Sequence, residues 1–190
     1  MKRSLGAKTV LTPAPVWIIG SYDKEGKPNI MAASWACVCS SKPPCVTVSL
    51  RESRHTYKNI LERRSFTVSV PGEKHLKEAD YVGIVSGANG DKFKTTGLTP
   101  VKSDLVDAPY IKEFSLVAEC ALLKHIKLGT HTMFVGEIKD IKCDQEILGD
   151  MEMPDMSKLE TFIFDPGTHK YYKVGRFLAK GFQVGNDLRK

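Results

Sequence analysis

Long apolar runs are missing from this 190-residue chain. The longest, Trp35 to Cys39, has five residues, against about 20 for a helix that crosses a bilayer and roughly 7 to 15 for the core of a secretory leader. Despite Lys2 and Arg3 at the start, the chain is therefore expected in the cytoplasm, with no membrane partner. Cysteine is scarce and odd in number: Cys37, Cys39, Cys45, Cys120 and Cys143 include no Cys-x-x-Cys and none of the spacings that zinc or iron–sulfur sites use. Free thiols follow, and no metal site is nominated. Cys37 and Cys39 share a strand face and, with Cys45, admit a metal reading, but small buried hydrophobes are the simpler account. Also absent are G-x-G-x-x-G, the P-loop, G-x-S-x-G and H-E-x-x-H. No catalytic residue is nominated, and any phosphate or redox chemistry must use a site built from other parts. Extended basic runs are lacking too. The 28 Lys and Arg and 22 Asp and Glu give a net charge of +6, yet runs stop at dipeptides such as Arg63-Arg64, so no nucleic-acid stripe forms. A small anionic ligand or an acidic protein partner suits this balance.

What remains is ordinary globular material, 42% apolar and 26% charged, enough for a core in one domain spanning residues 1–190. Period-2 patterning predicts strands at Val16 to Tyr22 and Asn29 to Ser40 around a turn at 23–27, forming a hairpin. It predicts further strands at Cys45 to Leu50 and Phe66 to Val70, each with one buried face. Between these two, Tyr57, Ile60 and Leu61 repeat at helical spacing behind Ser53 as cap, with Arg63 and Arg64 in the last turn. A second short helix is predicted from Glu73 to about Val82. Residues 86 to 109, rich in Gly, Asn, Asp, Thr and Pro, read as a long ordered loop. Phe114 to Lys127 and Thr130 to Ile141 read as a long hairpin whose alternation slips near Gly136, as a bulge produces. Two short strands, 162–164 and 171–174, flank a turn at 165–167. About seven strands, at most three short helices and no β-α-β alternation predict a mainly β, largely antiparallel barrel.

Three stretches could carry chemistry. From Ser49 to Lys58 a strand ends and a helix begins among hydroxyls and cations, which suits a phosphate but equally describes a capped helix with a solvated basic face. The loop from Ser86 to Phe93 offers a polar concavity with one cation, Lys92. Along Asn29, Met31, Ala33 and Trp35, small residues beside a large aromatic either leave a slot for a flat ring or pack closely against a neighbour. His131, after the Gly129-Thr130 turn, could reach a ligand or serve as an ordinary structural histidine.

Taken in order, the segments 29–35, 53–60, Asp91-Lys92-Phe93 and Gly129-Thr130-His131 with 134–138 resemble the flavin reductase-like, FMN-binding split-barrel family over residues 10 to 175. The resemblance implies a Greek-key split barrel that forms a homodimer and holds one FMN per subunit near the interface. It places Asn29, Met31, Ala33, Ser34 and Trp35 on the flavin-contacting strand, Thr56 and Lys92 at the phosphate or ribityl chain, His131 near the ring, and Phe164 as an aromatic beside it. Arg51, Ser53 and Arg54 are added phosphate contacts, unranked. A donor such as His131 would stabilise charge on a reduced ring, more strongly when protonated. Family members include electron carriers that keep FMN bound and NAD(P)H-dependent flavin reductases. With no evident dinucleotide pocket, the carrier is the favoured reading and the reductase the alternative. An acidic, ferredoxin-like redox partner fits the basic balance.

Overall fold

The computed structural model describes residues 1–189. In chain order the elements are β1 (Ala14–Pro15), β2 (Trp17–Tyr22), β3 (Pro28–Ala33), β4 (Ala36–Ser41), β5 (Pro44–Leu50), α1 (His55–Arg63) and β6 (Ser65–Val70). The first of four 3-10 turns, Glu73–His75, leads into α2 (Leu76–Ile84), followed by α3 (Lys92–Thr96), β7 (Pro100–Lys102) and β8 (Pro109–Ile111). The long strands β9 (Leu116–Leu128) and β10 (His131–Cys143), the one-turn helix α4 (Met156–Leu159), β11 (Phe162–Asp165) and β12 (Lys170–Lys173) complete the chain. No described helix is long and apolar enough to cross a membrane.

Seven strands form one antiparallel sheet in the order β3-β2-β6-β9-β10-β5-β4. A smaller sheet, β1-β11-β12, packs against it without a hydrogen-bonded strand pair between them. The sequence reading of residues 29–40 as one strand is corrected: the chain bends at Ser34-Trp35, so β3 occupies one edge of the large sheet and β4 the other. Between Ala33 and Ala36 three Cα–Cα steps reach about 11 Å at most, so this link holds the edges close, and the sheet curls without a hydrogen-bonded ladder between them. The corner is fixed by the Ser49 amide, which donates to the Trp35 carbonyl at 2.8 Å.

Alternation along β2 and β3 sends side chains to both faces. Ile19 and Met31 enter a core inside the curl with Val48, Phe66 and Phe134, covered by Tyr57 and Ile60 of α1. Ile18 and Ile30 enter a second core beneath α2 and α3, with Val82, Phe93 and Phe162. The slip expected near Gly136 is present as a register shift between Val135 and Gly136. Glycine is required there, because a Cβ would lie 2.4 Å from Cζ of the buried Phe66 ring.

Two further expectations differ from the structure. The N-cap of α1 is Arg54, without a side-chain cap, and Ser53 lies in the preceding turn. The segment 86–109 is not all loop: it contains α3, capped by Asp91, whose carboxylate accepts from the Lys94 amide at 3.1 Å, and closed by Gly97 at φ 72. It also contains β7 and leads into β8, with which β7 pairs as a hairpin. Elements of three to five residues are too short to show a period.

Candidate functional site

A pocket of about 510 Å³ opens where the bend at residues 34–35 meets the ends of β5, β10 and β11. Met31, Ala33, Ser34 and Trp35 form one wall, Ser49, Leu50, Arg51 and Arg54 a second. His131, at the start of β10, and Phe164, from β11 of the small sheet, face them. Thus Met31, Ala33, Ser34, Trp35, Arg51, Arg54, His131 and Phe164, all nominated from the sequence, come together around one cavity. Sequence reasoning gave no individual role to Thr9, Ala32, Pro166 or His169, which also line the cavity, and included Ser49 and Leu50 only as the opening of the 49–58 stretch. They arrive from the chain start, the strand ends and the β11–β12 turn, and only the assembled fold makes them neighbours.

Two aromatic pairs face the cavity. Trp35 and His131 have ring centroids 4.6 Å apart, tilted by 43°. Phe164 and His169 lie parallel within 2° at 6.2 Å. Trp35 is at the bend and not on the strand, and it keeps 41% of its surface exposed, so the slot is open on that side. His169 sits in the left-handed region at φ 57, held by the turn in which its amide donates to the Asp165 carbonyl at 2.8 Å.

Arg51, Arg54, His131 and His169 line the cavity and no carboxylate does, which favours an anion. Arg54 is fixed by donating to the Gly83 carbonyl of α2 at 3.1 Å. His131 shares a hydrogen bond with Thr130 Oγ1 through Nδ1 at 2.9 Å. Burial first, and then the charge of Arg51, pushes its imidazole below the ordinary 6.5. That shift favours the neutral ring.

Asn29, Ser53, Thr56 and Lys92 are outside the cavity lining. Asn29 is buried, and its Nδ2 donates to Thr56 Oγ1 at 2.8 Å, tying β3 to the start of α1. Its Oδ1 has no partner among the described residues. It faces Gly87, where a Cβ would lie 2.0 Å away. Lys92 is 5% exposed, and its ammonium donates to the carbonyls of Ile30 and Val82, both at 2.8 Å. It joins β3, α2 and α3. Burial, with Arg54 nearby, pushes its pKa down from 10.5 to about 8.

A stability measurement checks this placement. Between pH 8 and 10.5 the unfolded chain holds a proton that folded Lys92 has shed, so stability rises with pH in that window. Wild type is expected to gain on Lys92→Met between pH 8 and 10 in urea midpoints. A constant gap would place the ammonium in water.

Among the described residues no group of three His, Cys, Asp or Glu side chains could hold a metal, and all five cysteines are free. The donor set, which combines aromatic and apolar side chains with two guanidiniums, fits a flat ring carrying an anionic tail.

Residues 9–158 match the family described as flavin reductase like domain. The chain belongs to that flavin reductase-like family. Among solved structures it is similar to flavoredoxin of Desulfovibrio vulgaris (Miyazaki F), at 49% identity over 97% of this chain and all of that one, with a TM-score of 0.93. Flavoredoxin from Methanosarcina acetivorans is 30% identical over 99% of this chain and 98% of that one, with a TM-score of 0.89. An uncharacterised protein of Archaeoglobus fulgidus is 40% identical over 59% of this chain, and the matched segment spans 63% of that relative's length.

Proposed function

We propose that the protein is an electron carrier of the flavoredoxin type, a single domain that keeps FMN in the cavity beside Trp35 and works as a homodimer with an acidic, ferredoxin-like redox partner. The observation that carries this reading is the joint presence of aromatic walls and unopposed guanidiniums in one cavity of about 510 Å³, within the usual range for cofactor clefts, about 300–1,000 Å³. The family and the flavoredoxin likeness support a flavin over other flat anions, and five unbridged cysteines suit a reducing compartment.

A bound flavin supplies one- and two-electron redox chemistry that no side chain here can perform. The chain's part is to hold and tune. Trp35, Met31 and Phe164 offer apolar surface to the ring system. Arg51 and Arg54 neutralise the phosphate, whose charge is near −2 at pH 7. His131, its Nδ1 engaged by Thr130 Oγ1, keeps its other ring nitrogen for the ligand. The exposure of Trp35 leaves an approach for a partner.

Titration of apoprotein with FMN, FAD and riboflavin tests the assignment. FMN is expected to bind at one per chain and at least tenfold tighter than riboflavin, which lacks the phosphate; equal affinity would remove the guanidiniums from the site. Stopped-flow mixing of the loaded protein with NADH or NADPH separates carrier from reductase. Slow or absent bleaching is expected, and rapid bleaching would replace the carrier by an NAD(P)H-dependent flavin oxidoreductase.

A further inference from the structure

His169 is a cavity residue whose backbone is held where side chains are disfavoured. It stands at φ 57, and of the six non-glycine residues at positive φ among the described residues it alone lines the cavity. The connection from β11 to β12 is residues 166–169, since Asp165 and Lys170 form the last pair of the ladder. Its shape is set by Asp165, whose carboxylate accepts from the Gly167 amide at 2.8 Å and from Thr168 Oγ1 at 2.6 Å. The His169 amide closes the turn on the Asp165 carbonyl, so the left-handed position falls on residue 169. Glycine takes that conformation without steric penalty, whereas a residue with a Cβ loses free energy there. The turn does contain a glycine, Gly167, but not at positive φ.

The fold gives the histidine little in return. Its side chain is exposed, and among the described residues no hydrogen bond or ion pair engages either ring nitrogen. Its ring lies parallel to Phe164 within 2° at 6.2 Å, toward the far end of the range in which aromatic pairs interact. The two rings thus form one flat surface of the cavity, apolar at Phe164 and edged with a free donor and acceptor at His169. Strain that a turn over-determines is characteristic of ligand clamps.

We propose that His169 is a further binding residue of the cavity: beside Phe164, its imidazole hydrogen-bonds the polar edge of the flat ring that the cavity takes. The inference rests on the flavin reading above and adds a residue that recognises the ring, where Arg51 and Arg54 recognise the phosphate. A flavin ring has a flat, largely apolar body edged by carbonyl and N–H groups, which a wall of this composition complements.

Titrations of His169→Gly and His169→Phe with FMN and with riboflavin, beside thermal midpoints of the ligand-free chains, test this. His169→Gly relieves the backbone, so its midpoint is expected at or above that of the wild type, while affinity falls at least tenfold for both ligands alike. That equal fall separates it from loss of the guanidiniums, which spares riboflavin. His169→Phe keeps a flat ring at the same φ and lacks the nitrogens; it is expected to weaken both ligands at least fivefold. Wild-type affinity in either variant, a loss confined to FMN, or a midpoint lowered in His169→Gly would overturn the assignment while the wild type still binds flavin. A wild-type chain that takes up neither FMN nor riboflavin would end the flavin reading and this inference with it.

Discussion

The double variant Arg51→Ala, Arg54→Ala is expected to lose FMN affinity by about 100-fold or more while binding riboflavin almost as the wild type does. Each guanidinium is a charged donor beside a cavity without carboxylates, and a hydrogen bond to a charged group is worth about 1.5–3 kcal/mol. Two such contacts account for the factor, since about 1.4 kcal/mol is tenfold. Fluorescence-quench titrations with both ligands measure it, and raised salt is expected to narrow the difference for the wild type. Arg54 also donates to the Gly83 carbonyl, so Arg51→Ala alone separates loss of the anion site from loosening of α2. A fall that is equal for FMN and riboflavin would mean that the guanidiniums shape the cavity without meeting the phosphate.

Phe134→Ala is expected to be the most damaging single change to stability. Phe134 is fully buried in the core inside the curl. Its ring meets Tyr57 edge-on at a centroid distance of 5.3 Å. Truncating such a ring costs about 3–5 kcal/mol, which for a chain of this size lowers the thermal midpoint by roughly 10 °C. Calorimetry of the two proteins checks it; a drop of only two or three degrees would mean that the curled sheet collapses onto the vacated space. Because Phe134 is not a cavity residue, FMN affinity below the new midpoint is expected to stay within a few-fold of wild type.

Patterning alone revealed the parts whose neighbours are local. The alternations at Cys45–Leu50 and Phe66–Val70 became β5 and β6, and the phase slip at Gly136 became a bulge pressed against Phe66. The bend at Ser34-Trp35 was hidden because neither Gly nor Pro marks it; what turns the chain there is the pairing of β3 and β4 with different partners on opposite edges. Lys92 read as a ligand for an anion because a lone lysine in a polar loop usually faces water, whereas three elements converge to bury it. The eight nominated residues that reach the cavity lie at strand ends, at the bend or at the start of α1, apart from Met31 within β3 and Phe164 within β11. Thr9 and His169 come from the two extremities of the fold, and no window of sequence could join them.

The short link at residues 34–35 ends one strand, starts the next and supplies Ser34 and Trp35 to the cavity. Its length is therefore a dial on ligand size. Adding a residue there would let the two margins of the curl drift apart and widen the mouth without altering any lining side chain, and shortening it would pinch the opening. Relatives that accommodate bulkier guests could thus differ from this chain in the spacing of a corner more than in the chemistry of a wall.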